Sequence, residues 1–354
     1  MKHLKILFAF FCCCVSYSTK AQREVSVINL AKAWSDKAEI LNLSSMTDAA
    51  CYNIIEQEKL YGSIGNIKTG NGYVLFKQTL HYGKELSDTH IYNNGEFIDN
   101  GVIDNNDNIL YYQVSNSNIE FFDTNGNITK SVKLPDWVNR VCPISQNELM
   151  AYRTKNTEIT DNGLAEFCII DLNTNKTVFT HFSLSKEEAA KNKLWFPLMN
   201  NKAWTYCGKV YFYENISNNI YEIVKNTDNK FSLEKRFKME MSPLSIDYPQ
   251  TVSISPNNYK MGTSLHISDI KEMSKCIVFN MVLNKERKKL VLLKDGNKVI
   301  NVLKINPDID GITNGEDVIP YSALDKQQQE VLMQEKHIRQ KDVTKNIFIL
   351  PVYQ

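Results

Sequence analysis

Apolar and aromatic positions in this chain come in short runs that end on turn-forming residues, and the arrangement recurs without copying itself. Residues 109–122 close on Asp123-Thr124-Asn125-Gly126, 167–170 on 171–175, 209–224 on 226–229, and 290–293 on Asp295-Gly296. β-Branched and aromatic side chains suit a pleated, half-buried surface, while Asn, Asp and Gly accept the positive φ of a tight hairpin turn. Further strands are predicted over 25–30, 39–43 and 73–78, at His90-Ile91-Tyr92 before an Asn93-Asn94-Gly95 turn, over 276–283, and at Ile347-Phe348-Ile349-Leu350. The unbroken Ile277-Val278-Phe279 stretch has the character of a strand buried on both faces. Hairpins repeated at intervals of tens of residues predict the blades of a β-propeller.

Two segments break the strand rhythm. Ser185-Lys186-Glu187-Glu188 is a capping box, in which a serine oxygen and a glutamate answer the free amides of a helix start; it predicts a short helix to about Lys193. A second helix is predicted from about Ala323 to Arg339, with Leu324, Val331, Leu332 and Ile338 as a thin apolar stripe. No Pro, Gly or Ser-rich linker divides the chain, so residues 22–354 are expected to be one domain. Six blades then take about 55 residues each. The expectation is an all-β, six-bladed β-propeller with short helical insertions. Pairing between amino- and carboxy-terminal strands is expected to close it, because an open ring would leave sheet edges exposed.

The amino terminus changes the picture of where the chain works. Lys2 and Lys5 precede an apolar run at 6–15, and Thr19-Lys20-Ala21 follows, which is the order of a secretory signal spanning 1–21. The run is too short for a bilayer of roughly 30 Å, and no later stretch reaches the roughly 18 apolar residues of a membrane helix. Cys12, Cys13 and Cys14 lie inside the run, so cleavage after Ala21 is expected, giving an exported protein of the periplasm or cell surface. Of 41 basic and 40 acidic residues, 38 and 40 remain after cleavage. Scattered charge of that balance offers no footprint for nucleic acid. Cys51, Cys142, Cys168, Cys207 and Cys276 remain, without a Cys-x-x-Cys pair; single buried thiols are expected, with one disulfide left open.

Three segments resemble the six-bladed propeller proteins exported by Bacteroides-type bacteria. They are Lys209-Val210-Tyr211-Phe212-Tyr213 with Asn218-Asn219-Ile220-Tyr221-Glu222-Ile223 and 231–237; Asp308-Ile309-Asp310-Gly311 with Ile319-Pro320-Tyr321; and the terminal strand 346–352. The resemblance implies a six-bladed propeller, export, and a largely uncharacterised function. Pro135-Asp136-Trp137-Val138 stands where that family carries a glycine-rich stretch, so a site built on that stretch does not transfer.

Candidate chemistry is sparse. Asp308 and Asp310 echo the oxygen spacing of a calcium loop, but Pro307, an Ile one place early, and Asp317 as last ligand in place of a bidentate Glu depart from it; a structural turn whose aspartates accept backbone amides is the preferred reading, calcium the alternative. No two of the six histidines share a helical i, i+4 spacing, and neither His-x-x-x-His nor Gly-x-Ser-x-Gly occurs. Gly70-Asn71-Gly72 precedes a strand rather than following one, which suits a turn and not a phosphate site. Trp137, Trp195 and Trp204, with Phe196, Tyr206, Tyr248 and Tyr259, fall in or near predicted loops, where rings either wedge neighbouring blades together or bind ligand. Trp204 is assigned to the core; Trp195, Tyr248 and Tyr259 are the binding candidates. The functional expectation is a monomeric, non-enzymatic module for a glycan, peptide or protein ligand, with no cofactor. The alternative is a metal-assisted hydrolase or lyase with an axial site.

Overall fold

The computed structural model describes residues 25–48, 50–56, 62–70, 73–80, 99–105, 108–114, 118–122, 127–138, 140–152, 160–191, 202–244, 265–313, 315, 319–336 and 347–353. The 1–21 segment, and with it Cys12, Cys13 and Cys14, lies outside them. Three strands open the chain: β1 (Ser26–Asn29), β2 (Glu39–Asn42) and β3 (Ala50–Glu56). A hairpin follows, β4 (Gly62–Gly70) with β5 (Tyr73–Leu80). Then come four antiparallel meanders in chain order. The first is β6 (Asp99–Asn105), β7 (Asn108–Val114), β8 (Asn118–Phe122) and β9 (Ile128–Lys133); the second is β10 (Arg140–Ser145), β11 (Glu148–Tyr152), β12 (Leu164–Asp171) and β13 (Lys176–Leu184). The third is β14 (Ala203–Tyr206), β15 (Lys209–Glu214), β16 (Asn219–Lys225) and β17 (Phe231–Glu240); the fourth is β18 (His266–Glu272), β19 (Cys276–Leu283), β20 (Glu286–Leu293) and β21 (Val299–Asn306). Short β22 (Ile319–Pro320) and β23 (Ile347–Tyr353) join β3 in the order β22-β23-β3. The described residues thus form six sheets, and the fold is all-β.

Strand alternation explains how the meanders stack. On β10 to β12, Val141, Leu149, Ala151, Cys168 and Ile170 pack with Tyr112, Val114, Ile119 and Phe121 of the preceding meander. The residues between them, Cys142, Met150, Tyr152, Phe167 and Ile169, pack with Val210, Phe212 and Ile223 of the following one. The other face of that third meander, Trp204, Tyr211, Tyr213 and Ile220, meets Ile277, Phe279, Leu290 and Leu292 of the fourth. Because side chains alternate with period two, the second and third meanders each present two apolar faces and bury each against a different neighbour. First strands β6, β10 and β14 approach one another in sequence.

The turns follow the chemistry of their residues. Asp171 Oδ1 accepts the amides of Asn173 and Thr174, and Asn175 closes the turn at φ 55°. Asn226 Oδ1 accepts the amides of Asp228 and Lys230, and Asn229 lies at φ 59°. The 209–224 run is two strands, since Asn218 at φ 51° turns the chain between β15 and β16. The 109–122 run is likewise split into β7 and β8. His90-Ile91-Tyr92, the 93–95 turn and the 123–126 turn lie outside the described residues.

The opening strands do not pair with their sequence neighbours. β1 adds in parallel to the outer strand β17, and β2 adds in parallel to β21. Between them is α1 (Leu30–Ser35), capped by Asn29, whose side chain accepts the Lys32 amide at 2.7 Å. Leu30, Ala31, Ala33 and Trp34 of α1 are buried with the core shared by the third and fourth meanders. Lys288 Nζ donates to the Trp34 carbonyl, and Asn301 Nδ2 to that of Asp36. The segment is a strap over two sheets before its continuation, β3, pairs antiparallel with β23 along Ile347↔Glu56 to Tyr353↔Ala50.

The capping box forms: the Glu188 amide donates to Ser185 Oγ, and the Ser185 amide to Glu188 Oε2. It starts α2, Lys186–Lys191. The later helix, α3, is described over Lys326–Lys336 and starts three residues after the expected Ala323; residues 337–339 lie outside the described residues. A 3-10 turn at Tyr321–Ala323 precedes it, and Asp325 with Gln328 forms a reciprocal cap that fixes its start.

Candidate functional site

The residues singled out from sequence fall in three groups. Trp195, Tyr248 and Tyr259, with Phe196, lie outside the described residues. Trp204 is buried on β14, and Trp137 packs against the core between the first two meanders. Asp308 and Asp310 point to different partners. Asp308 accepts the Ser44 amide (2.9 Å) and hydroxyl, tying the strap to the loop after β21; these bonds hold its pKa below the ordinary carboxylate value. Asp310 accepts the amides of Ile312 (2.9 Å) and Thr313 (2.8 Å) and the Thr313 hydroxyl. Among the described residues no group of three or more His, Cys, Asp and Glu is placed to hold a metal ion.

The geometry brings together two polar clusters that sequence reading missed, one on each face of the third meander. Facing the fourth meander is Glu272, at the end of β18, with a fully buried side chain. Arg236 grips it through both terminal nitrogens at 2.8 Å; Lys294 Nζ donates at 2.8 Å and Trp204 Nε1 at 2.9 Å. A β-bulge delivers Arg236: Ile220 pairs with Phe237 and Tyr221 with Lys235, leaving Arg236 as the extra residue. Its guanidinium lies 4.4 Å over the Tyr211 ring, and Lys294 lies 3.9 Å over Tyr206. Burial pushes the Glu272 carboxyl up, but the bonds from Arg236, Lys294 and Trp204 outweigh it and hold the pKa below its usual value.

Facing the second meander are two carboxylates. Glu166, the extra residue of a bulge where Ala165 pairs with Phe182 and Phe167 with His181, accepts from Ser183 (3.0 Å) and from buried Lys202 (3.3 Å). Glu214 meets His181 Nε2 at 2.7 Å and accepts from the Ser217 hydroxyl. Beside it Asn215 and Asn219 are buried, each with a side-chain oxygen that has no hydrogen-bond partner.

An open concavity lies elsewhere, along the edge of the fourth meander. A cleft of about 1060 Å³ runs between the start of β20, the end of β21 and the first turns of α3. Arg287, Leu303, Lys304, Gln327, Gln328 and Val331 are among its lining. Leu303 is the extra residue of a bulge, since Glu39 pairs with Val302 and Ile40 with Lys304, and it is 73 % exposed. A second hollow of about 470 Å³ adjoins it through Arg287, Lys289 and Ile305.

Of the four cysteines whose side chains are described, three are buried as expected and one is exposed. Cys142, Cys168 and Cys276 are buried free thiols on strands, and Cys207 is a free, exposed thiol in the β14–β15 turn. Burial pushes the Cys168 and Cys276 thiols up to about 12, which removes them from nucleophilic work at neutral pH.

No helix among the described residues is long and apolar enough to cross a membrane. No family model matches the chain, and no curated protein matches it. Among solved structures, it is similar to a protein of Bacteroides fragilis described as a candidate exported protein, at 11% identity and a TM-score of 0.59, over 93% of this chain and 99% of that one. A quinonprotein alcohol dehydrogenase-like protein of Bacteroides thetaiotaomicron aligns at 9% identity over 57% of this chain and 65% of that one, but at a TM-score of 0.20 it carries no argument. At such identity the first likeness speaks to the fold alone, and the fold it supports is all-β.

Proposed function

We propose that this chain is an exported six-bladed β-propeller that works as a monomeric, non-enzymatic binding module, using the cleft between β20, β21 and α3. Six sheets, four of them stacked face to face in chain order, support the propeller. The β3–β23 pairing supplies the contact that would close the ring. The similar Bacteroides fragilis structure, together with the order of residues 1–21, supports export to the periplasm or cell surface, and a secreted chain beginning at Gln22 is expected by mass spectrometry.

The observation that carries the binding reading is the composition of the cleft: aliphatic Leu303 and Val331 beside Arg287, Lys304 and two glutamines, in a space of ligand size. Ligand sites combine apolar contact area with a few placed polar groups in clefts of roughly 300–1,000 Å³. A screen of glycans and peptides against the protein and its Leu303→Asp variant tests it. Binding that the variant loses supports the module; ligands that bind both forms equally, or none at all, remove it. Ring closure has its own test. Deleting residues 347–353 should abolish the single cooperative unfolding transition, because β3 loses its partner; a variant that melts as one unit near the parent temperature would remove the closed ring.

A further inference from the structure

The cleft just described leaves its charge uncompensated. Of its carboxylates, Glu286 pairs with Lys288 at 3.4 Å, and Asp325 is engaged in the cap of α3 through the Gln328 amide. Lys288 also donates to the Trp34 carbonyl and lies 4.6 Å over the Trp34 ring, so it belongs to the core side of β20. Arg287 and Lys304 are different. Neither has an ion pair or side-chain hydrogen bond among the described residues. Asp36 is the remaining carboxylate of the lining, set back beside Asn301, whose side chain holds the Asp36 carbonyl. Two free cations therefore share the cleft with an aliphatic side chain that a bulge has pushed into solvent.

We infer that this cleft takes an acidic peptide segment, one in which an Asp or Glu lies next to a Leu, Ile or Val. This rests on the proposal that the cleft is a binding site and adds the class of ligand. The cations supply the complement of a carboxylate, with Arg287 offering a planar fork that matches it. Leu303 and Val331 offer contact to an aliphatic neighbour. Among the described residues that line it, none is aromatic. Sugar recognition draws on ring faces for stacking, so the aliphatic wall favours a peptide over an acidic glycan. An acidic segment would also be steered to the site at low ionic strength.

The test uses the full chain as processed by its host and fluorescent ten-residue probes. One alternates Glu with Leu, one Lys with Leu and one Glu with Ser; a labelled polygalacturonate is the glycan arm. The Glu/Leu probe should bind at least about tenfold more tightly than either other peptide, and more weakly as salt rises from about 0.05 to about 0.5 M. Arg287→Glu/Lys304→Glu and, separately, Leu303→Ser should each weaken it by about tenfold or more, with unchanged melting temperature since these side chains carry no internal bonds. The milder Arg287→Gln/Lys304→Gln pair should fall between, which guards against a folding defect. Equal binding of the Lys/Leu probe, or insensitivity to charge reversal, overturns the inference. Polygalacturonate bound in preference, and lost on charge reversal, overturns the peptide class while leaving the binding module standing; failure of every probe and of the wider ligand screen removes both.

Discussion

The two faces of the third meander solve one problem in two ways. Each buries a carboxylate between stacked sheets, and each does so with a β-bulge that turns a charged residue inward. Toward the fourth meander, Glu272 receives two cations and an indole N–H. Toward the second, Glu166 receives one buried lysine, and Glu214 a histidine and a hydroxyl. The difference is one of stoichiometry. One anion serving two cations cannot be removed without leaving charge behind, whereas Glu166 and Lys202 carry opposite charges that can be removed together.

The largest expected effect follows from that asymmetry. Glu272→Gln leaves Arg236 and Lys294 facing each other without an anion in a largely buried setting, and should cost about 3–5 kcal/mol in denaturant unfolding. A loss below about 1 kcal/mol would break the comparison. The same group sets an acid limb. Because its folded pKa is below the unfolded value, its contribution is complete above the ordinary carboxylate pKa and is lost as pH falls through the lower folded value. The parent should therefore lose stability below about pH 4.5, more steeply than Glu272→Gln.

Next in size is Lys202→Met, which strands the Glu166 charge and should cost about 3 kcal/mol, while the double change Glu166→Leu/Lys202→Met should return to within about 1 kcal/mol of the parent. Recovery in the double variant is the measurement that separates a replaceable pair from the hub. Smallest is Asp310→Ala, which frees the Ile312 and Thr313 amides of one loop and should cost about 1 kcal/mol. Since we propose structural bonding for Asp308 and Asp310, a chelator should leave the melting temperature of the parent unchanged; a chelator-sensitive parent with an insensitive Asp308→Asn/Asp310→Asn variant would restore calcium.

Much of the strand content was legible because hairpin turns announce themselves: Asp171, Asn175, Asn226 and Asn229 act as their types dictate. The partners were not legible. Residues 25–30 were expected to be one strand, but Asn29 caps a helix and splits the run, and only the tertiary pairing of β1 with β17 makes 26–29 extended. The Asp325–Gln328 cap lacks the serine or threonine that marks the usual box in a sequence. The clusters around Glu272 and Glu166 left no trace in the sequence. Arg236 and Glu166 sit in strands whose alternation would point them the other way, and a bulge is a property of the pairing, not of the residue. Leu303 in the cleft wall is hidden for the same reason.

The strap has a consequence in time. Asn29 Nδ2 reaches Glu240 across 211 positions, and Ser44 reaches Asp308 across 264. A chain made from its amino terminus carries β1, α1 and β2 without partners until the third and fourth meanders exist, and β3 without its own until β23 exists. Long-range pairings of this kind close late, after the entropy of very large loops has been overcome. A segment whose partners lie 211 and 264 positions further along the chain is thus among the last of the described elements to fold.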